Sequence, residues 1–257
     1  INMFFGPALN AAAGIANSVS AIIGGFSANI MMAVRPQLIK RYASNDHDGM
    51  LKLAHQGATL CFILMTYLTI PLMSEIRFVL NIWLGIVPDY ACIFTNLILL
   101  FNIIGCFSSV VMIIVHSTGR IKKTSIINGT LYMLVIPITY IAFKLDAPVW
   151  LPFAYNAFAF FCGTMSNIYL MTTYIPSLNT YTFFKNTIIP CVVMFGFVSV
   201  PSFLLHTYMD EGWMRLFLSI AATVILTTLI SYNYLLDKET RNKVLSIILQ
   251  KIKNAKR

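Results

Sequence analysis

Asn10, Asn17, Asn102 and Asn156 each lie inside an apolar stretch of this 257-residue chain. An amide among hydrocarbon side chains needs a partner or water for its donors and acceptor. The spacing repeats. Asn10, Gly14, Asn17, Ala21, Gly24 and Ala28 recur at three- and four-residue intervals and so share one helical face. Thr95, Asn102 and Ser109 follow a seven-residue period beside Gly105 and Cys106, and Asn156, Gly163 and Asn167 make a third seam. Small residues let a second backbone approach closely. On sequence alone each seam either packs on a neighbour or lines an aqueous cavity.

A second set is cationic. Arg35-Pro36-Gln37 leads to Lys40-Arg41-Tyr42, and Thr118-Gly119-Arg120-Ile121-Lys122-Lys123 reads as a tight turn. Both are expected as compact basic loops. Arg35, Lys40, Arg120 and Lys122 either anchor those loops at the membrane surface or attract an anionic headgroup, such as a lipid diphosphate, to the mouth of a cavity. No group of residues suggests catalysis: Asp210 and Glu211 are adjacent but lack a base, a metal partner or a third group. Neither a metal site nor a cofactor is expected. The five cysteines, Cys61, Cys92, Cys106, Cys162 and Cys191, lack metal-ligand spacing and read as apolar fillers. His55, His116 and His206 fall near the ends of apolar stretches and read as interfacial polar residues.

The elements that must position these residues are membrane helices. The chain is 58% hydrophobic and 11% charged, with a mean hydropathy of +0.77, which no ordinary soluble domain shows. Crossing a hydrocarbon core of ~30 Å takes about 20 apolar residues. Seven windows qualify, at residues 8–34, 54–73, 91–115, 125–143, 151–175, 186–206 and 214–236, and none of the nine carboxylates falls inside them. The expected fold is all-α and polytopic. Pro71, Pro137, Pro190 and Pro201 are candidate kinks. The hydroxyl ridge Ser219, Thr223, Thr227 and Ser231 is expected to bond back to its own helix. The apolar run around 78–87 suggests an interfacial or re-entrant helix.

Orientation follows from Lys and Arg. Fifteen of the eighteen lie on one side of the seven spans, and Arg77, Lys144 and Arg215 on the other, with Trp83, Trp150 and Trp213. The positive-inside rule then puts the first residue outside and the C-terminus in the cytoplasm. The net charge of +9 reports topology and attraction to anionic lipid, not a nucleic-acid partner. Ile1 begins outside without a basic n-region, so a preceding segment is expected. Three units are expected: core helices over 1–175, two further spans over 176–236, and a basic tail over 237–257. The tail reads as an amphipathic in-plane helix.

Several runs resemble a known family. Asn2-Met3-Phe4-Phe5-Gly6-Pro7 is followed by Asn10-Ala11-Ala12, Gly14-Ile15-Ala16, Ala33-Val34, Pro36-Gln37, Lys40, Tyr42-Ala43-Ser44 and Asp46. A second block holds Phe78-Val79-Leu80-Asn81-Ile82-Trp83-Leu84-Gly85, Pro88-Asp89-Tyr90, Ile93-Phe94-Thr95, Thr118-Gly119 and Ile121-Lys122. Together these resemble the bacterial polysaccharide (O-antigen, Wzx-type) flippases of the multidrug/oligosaccharidyl-lipid/polysaccharide exporter superfamily, over about the first half of the chain. The resemblance implies two pseudo-symmetric helical lobes around a central cavity, this chain being the C-terminal one. It implies transfer of undecaprenyl-diphosphate-linked oligosaccharide from the inner to the outer leaflet of the bacterial inner membrane by alternating access. Asn10, Asn17, Asn102 and Asn156 become sugar-contacting candidates, and Arg35, Lys40, Arg120 and Lys122 diphosphate candidates. Where the family pattern has Asn before Pro-Gln, this sequence has Arg35, a cation suited to a diphosphate. The partners implied are the lipid-linked oligosaccharide, membrane lipids, the N-terminal lobe and polysaccharide polymerase machinery. A cation-coupled drug or metabolite exporter of the same fold is the main rival. A membrane-embedded glycan transferase using Asp89, Asp210 or Glu211 is a second, and a non-transporting helical scaffold a third.

Overall fold

The computed structural model of the protein describes residues 2–236 and Arg241, with the backbone alone for residues 2–4 and Thr180. The expected tail helix, with Val244, Leu245, Ile248 and Ile252 opposed by Arg241, Lys243, Lys251 and Lys253, lies outside the described residues apart from Arg241. Those described form helices and short connections, with no strand among them. Six helices are long and apolar enough to cross a membrane, and a seventh of 24 residues, Leu151–Tyr174, has the length but is diluted by asparagine and tyrosine. The chain is an all-α, multi-pass membrane protein.

The first helix, α1 (Asn2–Ala43), is interrupted at Gly6, whose φ of 78° and ψ of −175° are open to glycine and which precedes Pro7. From Phe5 to Ala43 it runs 39 residues, ~58 Å at 1.5 Å per residue and roughly twice the hydrocarbon thickness. This overturns the expected basic loop at Arg35-Pro36-Gln37. The helix continues through Pro36, because losing one N–H does not end a helix whose neighbouring bonds survive. A three-residue turn with Asn45 in the left-handed region leads into α2 (His47–Ser74). That helix starts seven residues before the expected 54 and so takes in Asp48, a carboxylate in its first turn. Asp46 caps it, accepting from the Gly49 N–H at 2.9 Å. The apolar run in the following connection does form a helix, α3 (Ile76–Leu84).

Next come α4 (Ala91–Ser117), α5 (Lys122–Met133) and α6 (Val135–Lys144). The last two make up one expected span, divided at Leu134. Pro137 offers no N–H to the Met133 carbonyl four residues back, at the position of the break. After α7 (Leu151–Tyr174), the short α8 (Thr180–Phe183) passes through a π-helical turn, Phe184–Ile188, into α9 (Ile189–Tyr208). α10 (Trp213–Ile230) ends in a second π-helical turn, Ser231–Leu235.

α4 is the centre of the packing, touching α1, α2 and α7. Its stripe Phe94, Leu99, Cys106, Val110 and Ile114 is fully buried. Against α7 the contact is an aromatic zipper with the same seven-residue period on both helices: Phe94 with Phe153 at 4.4 Å, then Phe101 with Phe160 at 4.2 Å. The pair α9–α10 packs on α2. The spans sort the termini into two ends. One holds Lys40, Lys52, Arg120, Lys122 and Lys185 and is called the basic end; the other holds Trp83, Trp150 and Trp213.

Candidate functional site

α1 has two unlike faces. Ala12, Ala16, Val19, Ile23, Met31 and Leu38 are buried against the bundle. The small and polar stripe Asn10, Gly14, Asn17, Ala21 and Ala28 is exposed, with Gly24 half-buried. Within the described residues the stripe therefore does not serve to pack helices except at Gly24, which faces Asn102 of α4. The free faces of α9 and α10 differ, presenting Val193, Phe197, Phe203, Phe217, Val224 and Leu229, the composition a lipid-facing surface needs.

Beside the α1 stripe is a cavity of about 400 Å³ between α1, α4, α5 and α7. Asn17 and Asn156 both line it, with Ser20 and Tyr132, over an aromatic wall of Phe101 and Phe153. Neither side-chain amide has a hydrogen-bond partner among the described residues, so their donors and acceptors are available to a polar ligand. Asn102 is different. Its Nδ2 donates to Ser20 Oγ at 3.0 Å, and its Oδ1 lies 3.4 Å from where a Cβ on Gly24 would sit. It fills a notch in α1 and reaches the cavity through Ser20. Asn10 is exposed two turns further toward the tryptophan end and does not line this cavity. Asn167, from the third seam, is buried, donating to Met112 Sδ at 3.2 Å and leaving its Oδ1 unpaired.

The four cations share one end. Ser20 meets Asn102 and Ser27 lies beside Cys106, so α1 and α4 run parallel. Fifteen residues beyond Ser20 is Arg35, and fifteen beyond Asn102 is Ser117. Arg35 is thus level with the end of α4, where the expected tight turn forms with Gly119 at φ 72°. Arg35, Lys40, Arg120 and Lys122 are all exposed, and the Arg120 guanidinium is 5.8 Å from the Tyr174 ring centroid.

Two features escape the sequence reading. The first is a buried ion pair at the tryptophan end. Arg215, 6% exposed, donates from Nη2 to Glu75 Oε2 at 2.7 Å and from Nε at 2.9 Å, while Glu75 is 1% exposed. Arg215 Nη1 also donates to the Met209 carbonyl at 2.9 Å. The second corrects the hydroxyl ridge of α10, which bonds across helices and not mainly to its own backbone. Ser219 Oγ donates to Ser202 Oγ of α9 at 3.1 Å and lies 3.1 Å from Ser74 Oγ of α2. Thr223 Oγ1 lies 3.3 Å from Ser202 Oγ. Only Ser231, donating to the Thr228 carbonyl at 3.2 Å, behaves as expected. Interhelical hydroxyl pairs are favoured where the surroundings offer no water.

No known protein family, curated protein or solved structure matches the chain.

Proposed function

We propose that the protein is a flippase that moves an undecaprenyl-diphosphate-linked oligosaccharide, an O-antigen or capsule repeat unit, from the inner to the outer leaflet of the bacterial inner membrane. In this reading the chain is the second lobe, N-terminus outside and C-terminus cytoplasmic, and the exposed face of α1 borders the central pathway. The observation that carries the proposal is the pairing of Asn17 and Asn156 at one cavity beside a small, polar, exposed helix face. Sugar hydroxyls both donate and accept, as amides do, and a stacking wall such as Phe101 and Phe153 suits the apolar face of a pyranose ring. Asn10 and Asn102 extend the polar track along α1. Arg35, Lys40, Arg120 and Lys122 supply positive charge at the basic end, where the diphosphate of a loading substrate would be held.

The translocation itself needs no bond to break. The cavity's part is to replace the water shed by the glycan as it leaves the cytoplasmic face, and the other lobe would supply the remaining wall for alternating access. The resemblance over the first half of the chain supports this substrate class over a small amphiphile. The buried carboxylate Glu75 does not favour an ion-coupled exporter, since Arg215 already neutralises it.

The proposal is tested in cells making the full-length protein with Arg35→Gln and Arg120→Gln. Surface polysaccharide should fall while membrane insertion is unchanged. Undiminished export in the double variant would remove the headgroup role.

A further inference from the structure

α4 and α9 both pack on α2 and barely on each other. The gap between them holds a cavity of about 620 Å³ at the tryptophan end, within the range of about 300–1,000 Å³ usual for ligand sites. Toward the middle of the bundle the gap closes, where the Phe62 ring of α2 lies 5.1 Å from Phe107 of α4 and 6.1 Å from Phe195 of α9. Ile70 and Met73 of α2 form the floor. Ile93 of α4 and Phe203 of α9, both exposed, form the two lips.

The polar groups of the lining are of two kinds. Inside, three serines are already engaged: Ser74 Oγ donates to the Pro71 carbonyl at 3.1 Å, Ser199 Oγ donates to the Gly196 carbonyl at 2.8 Å, and Ser202 Oγ accepts from Ser219 Oγ at 3.1 Å. Asn96 is not engaged in this way. It sits roughly 8 Å inside the start of α4, and its Oδ1 is buried with no partner among the described residues. At the rim stand Arg77, Asp89, Tyr90 and His206, all exposed. Arg77 and Asp89 border the same cavity without forming an ion pair, with each other or with any described residue. Two opposite charges that face one cavity without meeting suit a ligand that carries both. Trp213 packs edge-on against Phe78, beside Arg77, at 5.5 Å, which sets this rim at the depth of lipid headgroups.

We propose that the cavity binds a glycerophospholipid with a primary ammonium headgroup, the chemistry of phosphatidylethanolamine, with its phosphate at Arg77 and His206 and its ammonium at Asp89. A guanidinium grips phosphate oxygens in pairs, and a carboxylate accepts charge-assisted hydrogen bonds from an ammonium. A choline headgroup has no N–H to offer Asp89. A purely anionic headgroup fits less well, because Glu211, outside the lining, is near enough to act on Cys92 as Arg77 does and adds negative charge beside the rim. The Asn96 amide lies where the polar glycerol linkage would sit, and an acyl chain would cover Ile70, Met73 and Phe195. The site shares no residue with the Asn17–Asn156 cavity and does not depend on what the protein transports.

The test uses the purified full chain in nonionic detergent micelles, titrated with phosphatidylethanolamine, phosphatidylcholine, phosphatidylglycerol or soluble phosphoethanolamine, with retention read by native mass spectrometry. Phosphatidylethanolamine should be retained over the other three. Arg77→Gln should weaken its retention about fivefold, and Arg77→Lys should restore most of it. Asp89→Asn should abolish the preference over phosphatidylglycerol, whereas Asp89→Glu should keep it. Lys144→Gln/Asp146→Asn, which removes one charge of each sign away from the cavity, should change nothing. Equal retention of phosphatidylcholine, no loss in Arg77→Gln, an unchanged preference in Asp89→Asn, or an equal loss in Lys144→Gln/Asp146→Asn would overturn the site. Phosphoethanolamine binding as tightly as the lipid would overturn the lipid assignment.

Discussion

The ion pair between Glu75 and Arg215 shows what single residues do in this protein. Two charges taken out of water cost several kcal/mol each, and their attraction offsets that only while both are present. Glu75→Ala or Arg215→Met alone should therefore destabilise the protein by about 3–5 kcal/mol. The double variant Glu75→Leu/Arg215→Met should recover most of the loss, as read from thermal unfolding in detergent through a double-mutant cycle. Asp46 works at the surface. The Gly49 N–H, and after it the Arg41 guanidinium at 2.5 Å, hold its carboxyl below the ordinary carboxylate range. A depressed carboxyl stabilises the folded state fully above its unfolded value of about 3.9 and loses that contribution as pH falls through the lower folded value. Amide exchange at Gly49 should accelerate in that acid range in the native protein. Asp46→Ala should show fast exchange at every pH, whereas Asp46→Asn, still a good cap, should stay protected and lose the pH dependence. Neither pairing was legible beforehand to the same degree. Asp46 sits next to the turn it caps, but Glu75 and Arg215 are 140 positions apart, and no local pattern links them.

At the scale of elements, hydropathy located the spans and misjudged their ends. It marks where hydrocarbon stops, and helices do not stop there: α1 continues to Ala43, and α2 begins at His47 among polar residues held by a cap. Periodicity identified the α1 stripe but could not say which way it faced, because small residues suit both a tight contact and a cavity. The side chains opposite decided it, with Ala12, Ala16 and Ile23 taking the buried side. The α10 ridge is ambiguous in sequence for a related reason, since a hydroxyl on an i, i+4 stripe can bond its own helix or the next. Close approach is visible where α1 crosses α2. A Cβ on Gly57 would meet Val34 Cγ1 at 3.2 Å and Cγ2 at 3.4 Å. Val34 is β-branched and stiff, so Gly57→Leu should cost about 1–3 kcal/mol by overpacking, measured as a loss of thermal stability. An unchanged melting temperature would mean the crossing is looser than described.

For the whole molecule, the contrast between exposed faces organises everything else. α9 and α10 turn bulky apolar side chains outward, whereas α1 turns out a stripe of asparagine, glycine and alanine beside the exposed Ile22, Phe26 and Met32. A bilayer solvates the first surface well and the second poorly, because unpaired amides in hydrocarbon cost free energy. The proposed function places this stripe and the cavity beside it on the side of the molecule turned away from lipid. The most direct measurement is transfer of a fluorescent undecaprenyl-diphosphate oligosaccharide between leaflets of proteoliposomes holding the full-length protein. The account predicts transfer that falls on the order of tenfold in Asn17→Leu/Asn156→Leu and persists in Phe217→Ala/Val224→Ala. Transfer undiminished by the asparagine changes, or no transfer by the native protein, would contradict it.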